Sequence, residues 1–402
     1  MHSPIQSFMH SHKKADQKME RNIVHLDLDS FFVSVERLRN SRLAGKPVII
    51  GGLSDRGVVA SCSYEARKFG VHSAMPMRMA RNLCGDAIVI RGDMDLYSRY
   101  SRLVTEIISE SAPLYEKASI DEHYVDLTGM ERFFGTLKWT KALKHDIVKH
   151  TGLPVSFGLS VNKTVSKIAT GEAKPDGGLH IAPAQVKPFL YPLSIRKIPM
   201  IGDRTYHLLR SMGISRIKTL SRIPLEMLEH VLGKNGVILW KKANGIDNTP
   251  VKPYSERKSI SSERTFEQDT MDIHAISAWL VSMVEKLAFQ LRREHKLASC
   301  VTVKIRYANY DTHTIQKRIP YTAFDHELIK TARELFHKLY TRRMQIRLLG
   351  VKYSHLVYGT QQLNLFEDTT AAIRLYQTMD MIRKRYGSKA IGRASGYGSN
   401  EG

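Results

Sequence analysis

The chain has 402 residues, 42% of them hydrophobic, enough for about two to four domains with sizeable cores. Its 61 Lys and Arg against 39 Asp and Glu give a net charge of +22, spread along the chain rather than held in one tail. That field calls for a polyanionic partner, nucleic acid first, and no apolar run approaches the roughly 20 residues of a membrane helix. Cys62, Cys84 and Cys300 lie far apart without metal-ligand spacing, which suits a reducing cytoplasm and no disulfide framework.

In chain order, residues 1–22 are polar and rich in His and Lys and read as a disordered arm with no signal-peptide core. "NIVHLDLDSFFVSVER" is a strand that runs into a helix. Val24, Leu26 and Leu28 share one face; His25, Asp27 and Asp29 share the other. Asp29 or Ser30 would cap the helix, which leaves Asp27 without a structural partner. "KPVIIGG" and "RGVVASCS" read as strands, and "SRYSRLVTEIISESA" as a helix with Leu103, Ile107 and Ile108 on one side. "YEKASIDEHYVDLTG" reads as two strands meeting at a bend, where adjacent Asp121 and Glu122 turn toward one opening. "LPVSFGLSVNKTVSKIATGEA" is a strand and then a helix. Short helices punctuated by Gly and Pro fill 194–245, and a Pro-containing charged linker spans 246–258. A second α/β unit, 259–356, reads strand, helix, strand, strand, helix, strand. The tail, 357–402, holds "QQLNLFED" and a further helical stretch, "AAIRLYQTMDMIRKRYG".

Asp27, Asp121 and Glu122 in one cleft would repel one another. Divalent cations between them remove that cost, and Mg²⁺ takes hard oxygen ligands of this kind. Two such ions roughly 3.5–4 Å apart clamp an in-line displacement at phosphorus. Each motif alone is weak, since "SIDE" in a hairpin is most often a solvated turn. Together, on a basic chain, they favour nucleotidyl transfer.

"HLDLDSFFVSVE", "SCSYEARKFGV", "KASIDEHYVDLT", "GLSVNKTVSKIATGEAKPDG" and "SERTF" occur here in the order and spacing of the Y-family translesion DNA polymerases, and the chain most closely resembles the bacterial DNA polymerase IV class. The resemblance implies a multidomain α/β right hand: palm at 23–44 and 83–193, fingers at 45–82, a helical thumb at 194–245, and a βαββαβ little finger at 259–356. It implies a low-fidelity DNA polymerase without proofreading. Asp27, Asp121, Glu122 and the backbone carbonyl of Leu28 would hold two Mg²⁺. Tyr64, Arg67 and Lys174 match triphosphate contacts, chemically sensible as a hydroxyl donor, a planar fork and a point charge. The amides of Phe31 and Phe32, at a helix start, suit phosphate as well. Phe32 matches the steric gate that excludes a ribose 2′-hydroxyl. Val58 and Ala60 fall where small residues leave the nascent base pair open. His123 follows "SIDE" where a small residue is common; it touches the primer end or fills space.

The resemblance also implies primer-template DNA and deoxynucleoside triphosphates as partners of a monomeric, nucleoid-associated cytoplasmic protein. "IRKIPMIGDRTYHLLRSMGI" resembles a helix-hairpin-helix, in which Gly202 lets the backbone approach phosphate; Met200 stands where that motif usually has glycine. Residues 255–353 carry 18 Lys and Arg against 11 Asp and Glu, and Lys304, Arg306, Lys317 and Arg318 would lie along the duplex backbone. "QLNLF", with Gln362, Leu363, Leu365 and Phe366, looks like the bacterial sliding-clamp-binding peptide. Two other classes compete: a catalytically silent DNA-binding repair factor recruited to the clamp, and a nucleotidyl cyclase. The intact carboxylate set argues against the first. The linker, thumb and basic second unit argue against the second.

Overall fold

The computed structural model describes residues 20–359, 370–387 and 390–396, so the expected clamp peptide at 362–366 and residues 1–19 lie outside it. The chain divides into two compact units, the first ending at Ser255 and the second starting at Glu256.

In the first unit the strands are β1 (Ile23–Leu28), β2 (Val48–Gly51), β3 (Val59–Cys62), β4 (Ile88–Ile90), β5 (Tyr115–Lys117), β6 (Glu122–Asp126), β7 (Val155–Ser160) and β8 (Gly178–His180). Among the described residues they form one sheet ordered β5-β6-β1-β7-β8 and a smaller one ordered β3-β2-β4. β1 is central and antiparallel to both β6 and β7. Its alternation sorts Val24, Leu26 and Leu28 into a core with Val125, Val155 and Phe157. Burying each such side chain contributes roughly 1.5–3 kcal/mol.

The other face of β1 is covered by the helix Lys163–Ala173. Asn162 caps it, accepting from Val165 N–H at 3.0 Å, a bond worth about 1 kcal/mol. Gly158, opposite His25 on β7, lets that helix come close: a Cβ there would sit 2.2 Å from the Ser166 carbonyl oxygen. Ser166 then bonds the Ile23 carbonyl, and Thr170 bonds the His25 carbonyl.

The helix Met94–Ser111 buries Tyr97, Ser101, Val104 and Ile108. Leu103 is 39% exposed, so the expected stripe is rotated. A polar Ser101, donating to the Ile120 carbonyl, hides within the buried face. Residues 247–252 of the linker are tied to this unit. Arg21 donates to the Asp247 and Thr249 carbonyls, Thr164 to Asp247, and Lys252 N–H to Glu116. The end of the expected arm is thus bonded in place.

The second unit runs β9 (Ser259–Thr270), helix Ile273–Arg293, β10 (Lys296–Tyr307), β11 (Thr312–Thr322), helix Asp325–Leu339 and β12 (Ile346–Tyr358), the βαββαβ order read from the sequence. The sheet is ordered β11-β10-β12-β9. Val301, Val303, Ile305, Leu349, Val351 and Tyr353 face the two helices and form their core. A third helix, Thr370–Tyr386, packs Tyr376 and Met379 against Phe324. Buried charges hold it: Arg292 reaches Asp325 at 2.5 Å and Asp380 at 2.7 Å, and Arg383 lies 3.8 Å from Glu285. Among the described residues no helix is long and apolar enough to cross a membrane.

Candidate active site

Register brings the carboxylates together. Asp27 on β1 stands directly opposite Glu122 on β6, and Asp121 precedes Glu122 at the bend. Leu28 N–H donates to the Asp121 carbonyl at 3.1 Å, locking the bend to β1. Ser119 holds the turn, accepting from the Asp121 and Glu122 amides and donating to Asp121 Oδ1. Burial first, and then the charges of Glu122 and Asp121, raise the Asp27 carboxyl to about 6 against the pull of Lys174.

Two ammonium groups meet these oxygens. Lys174 Nζ lies 2.5 Å from Asp27 Oδ1 and 3.8 Å from Asp29. Lys167 Nζ lies 2.6 Å from both oxygens of Glu122. Lys167 was missed by the sequence reading, although it precedes Lys174 by about two helical turns, a spacing that sets both on one side. His25, buried with its Nδ1 on Thr170 at 2.9 Å, places Nε2 3.8 Å from Glu122. Burial and the neighbouring lysines hold its pKa well below the ordinary value.

Among the described residues no three His, Cys, Asp or Glu side chains gather closely enough to cage an ion by themselves. Mg²⁺ does not need such a cage. It keeps several waters and takes one or two carboxylates plus substrate phosphates. The donor set of Asp27, Asp121 and Glu122, hard oxygens on neighbouring strands, fits that demand.

Asp29 is not a helix cap. Ser30 occupies the N-cap position in left-handed backbone, φ 44°, and no side-chain oxygen caps the helix Phe31–Arg39. The Asp29 carboxylate is instead buried and accepts three hydrogen bonds: from Tyr64 hydroxyl at 3.1 Å, Ser156 hydroxyl at 2.8 Å and Asp176 N–H at 2.7 Å. With its carboxylate committed to these three donors, Asp29 does not cap the helix amides. Those of Phe31 and Phe32 therefore stay free of a side-chain cap.

Tyr64 is half-buried. Burial, and then the charge of Asp29, push its phenol pKa up. Arg67 is exposed, its guanidinium 4.8 Å from the Tyr64 ring centre. Phe32 stacks on Tyr97 with centroids 4.3 Å apart and planes 12° from parallel; Phe31 is buried beside it. Tyr97, also missed in the sequence, is fixed by donating to buried Glu36 at 2.7 Å. Val58 and Ala60 are both exposed, while Val59 between them is buried. His123 fills space: it points to the opposite side from Glu122, is buried, and pairs with Thr105 at 3.0 Å. Burial lowers its pKa to about 3. Gly202 is the N-cap of the helix Asp203–Ser211, and Met200 takes the left-handed φ of 86° that glycine usually supplies.

In the second unit, alternation separates the expected DNA contacts. Cys300 pairs with Arg318, Lys304 with Thr314 and Arg306 with Thr312, on the face away from the helices. Lys317 pairs with Val301, a helix-side residue, and reaches Glu334 of the helix Asp325–Leu339 at 2.8 Å. Lys317 therefore belongs to the opposite face from the other three. Lys352, opposite Thr302, joins the open face and was missed. Lys304 pairs with Glu263 at 2.9 Å across Gly350, whose missing side chain leaves room.

The model of the impB/mucB/samB family matches residues 26–171, and that of the impB/mucB/samB family C-terminal domain matches 257–365. A DNA polymerase IV of Dehalococcoides mccartyi (strain CBDB1) is 39% identical over 375 residues, 92% of this chain and 96% of the relative. One from Desulfatibacillum aliphaticivorans is 36% identical over the same shares of the two chains. Among solved structures, a Y-family DNA polymerase chimera has a TM-score of 0.74 at 27% identity, covering 84% of this chain and all of the other. An insertion ternary complex of Dbh DNA polymerase has 0.61 at 26% identity with the same coverage.

Proposed function

This chain belongs to the impB/mucB/samB family, and from that premise we propose how its own residues perform the family's chemistry. It is a Y-family DNA polymerase of the DNA polymerase IV class, a DNA-directed nucleotidyltransferase of translesion synthesis, with a right-hand fold and a βαββαβ little finger. A silent DNA-binding factor is not favoured. The observation that carries the residue-level reading is Asp27 facing Glu122 across β1 and β6, with Asp121 locked beside them.

Asp27, Asp121, Glu122 and the Leu28 carbonyl would hold two Mg²⁺. The metal, when bound, lowers the pKa of the primer hydroxyl and neutralises the leaving pyrophosphate. Around it, Lys174 supplies a point charge beside Asp27, Arg67 an exposed fork, and Phe31 and Phe32 uncapped amides for the triphosphate. The Phe32 ring, backed by Tyr97, shuts out a ribose 2′-hydroxyl. Exposed Val58 and small Ala60 leave space over the base pair, which admits damaged templates at a cost in fidelity. Duplex lies on the open face of the little-finger sheet, against Lys304, Arg306, Arg318 and Lys352, with the Gly202 turn on the phosphates. Residues 362–366 bind the sliding clamp.

Asp121→Ala is expected to abolish Mg²⁺-dependent primer extension while primer-template binding persists. Undiminished extension would overturn the ligand assignment. Turnover of free nucleotide without primer-template would point to a cyclase instead.

A further inference from the structure

The helix Asp325–Leu339 carries His326, Lys330, Arg333 and His337 at intervals of four, three and four, which sets them on one face. Arg393 and Ser395 close the other side of a cleft of about 430 Å³. Both family-model matches end by residue 365, so these two residues lie beyond the spans that define the family.

Arg393 is held in place. Its N–H reaches Glu285 at 3.5 Å, its Nε is 3.6 Å from the same carboxylate, and Nη2 donates to the Tyr376 hydroxyl at 3.2 Å. That hydroxyl also accepts from His326 N–H at 3.2 Å and lies 2.8 Å from His326 Nδ1. A phenol has two lone pairs and one proton. With both lone pairs taken, the proton goes to Nδ1, and His326 Nε2 is left as an N–H donor.

The chemistry of the cleft is one-sided. Lys330, Arg333 and Arg393 are cationic, and the lining carboxylate, Glu334, is engaged by Lys317 at 2.8 Å. Arg333 Nε is buried and finds no hydrogen-bond acceptor among the described residues, whereas Arg393 Nε is buried against Glu285. Buried donors without acceptors are costly. A phosphate brings several acceptors at once and matches the guanidinium fork.

We propose that this cleft is a second phosphate-binding site, one that takes either a single-stranded nucleic-acid backbone or a free polyphosphate. It goes beyond the duplex-binding reading, because it lies on the helix side of the little finger and not on the open face of the sheet.

The test uses the full chain and the double variant Lys330→Ala/Arg333→Ala. Neither side chain is tied into the fold by a hydrogen bond among the described residues. For labelled (dT)20, the slope of log K against log salt should fall by about 0.7 per lost phosphate contact, about 1.4 for the pair. Blunt-duplex binding and primer extension should stay unchanged, and Arg333→Lys alone should retain the parent slope. In a second arm, calorimetry with inorganic pyrophosphate reads the free-anion source. Loss of pyrophosphate binding with an unaltered (dT)20 slope assigns the site to polyphosphate. An unaltered slope together with unaltered pyrophosphate binding overturns the proposal. Circular-dichroism melts confirm folding, and Lys330→Glu carries the same test if the double variant fails to fold.

Discussion

β1 and β6 of the palm turn His25, Asp27 and Glu122 toward the helix Lys163–Ala173 and Lys174 just past its end, where each has a partner within 4 Å. β10 and β11 of the little finger turn Lys304, Arg306 and Arg318 away from their helices, toward solvent. The alternation is the same, and the proposed uses are opposite. Chemistry at phosphorus needs few groups at defined separations, and burial supplies that at the expense of perturbed protonation. Duplex binding needs many charges at loose separations, and exposure supplies that with each charge contributing little.

The widest gap between the two regions should appear in turnover. Glu122→Gln removes a charge from the proposed metal site and is expected to cost several kcal/mol of transition-state stabilisation, about 10³-fold or more in kcat. Single-turnover kinetics at saturating primer-template measure it, and a loss under tenfold would erase the contrast. Phe32→Ala should raise ribonucleotide use relative to deoxynucleotide use by about 10- to 200-fold, the range for one group fitting or clashing in a pocket. Competing incorporation with both nucleotides reads it.

Acid separates the regions next. His123 has a folded pKa of about 3, below its ordinary value near 6.5. As pH falls under 6.5 the unfolded chain takes the proton first, so stability present above that pH is drawn down toward pH 3, by about 2 kcal/mol at pH 5. Asp27 works in the other direction. Its raised pKa lets the folded chain take the proton first between about 6 and 3.8, so stability rises as pH falls through that window. His123→Gln should therefore lose about 2 kcal/mol less than the parent between pH 7.5 and 5 in urea unfolding, and equal losses would count against a buried neutral imidazole. Smallest is the little-finger effect. Arg318→Ala should lower the salt slope for blunt duplex by about 0.9, whereas Lys317→Ala should leave it as it is.

Much of this was legible in the chain. The facing of Asp27 and Glu122 follows from period-two alternation plus a bend at "SIDE". The side of Lys317 was legible too, because Ile315 and Ile319 flank it at the same parity and both pack toward the core. Asp29 was not. Its partners Tyr64, Ser156 and Asp176 come from three distant segments, and local spacing offered only the cap. The rotated helix Met94–Ser111 hid for a similar reason: its buried stripe includes Ser101, whose hydroxyl finds a carbonyl that no helical pattern reveals.

The joint at Asp29 turns on a single proton. Tyr64 has a single hydroxyl proton, and it already goes to Asp29. Any other acceptor that claims this proton takes it from the carboxylate that ties the helix following β3 to β7 and to the Asp176 amide. While it holds Asp29, Tyr64 therefore has no second proton to offer another acceptor.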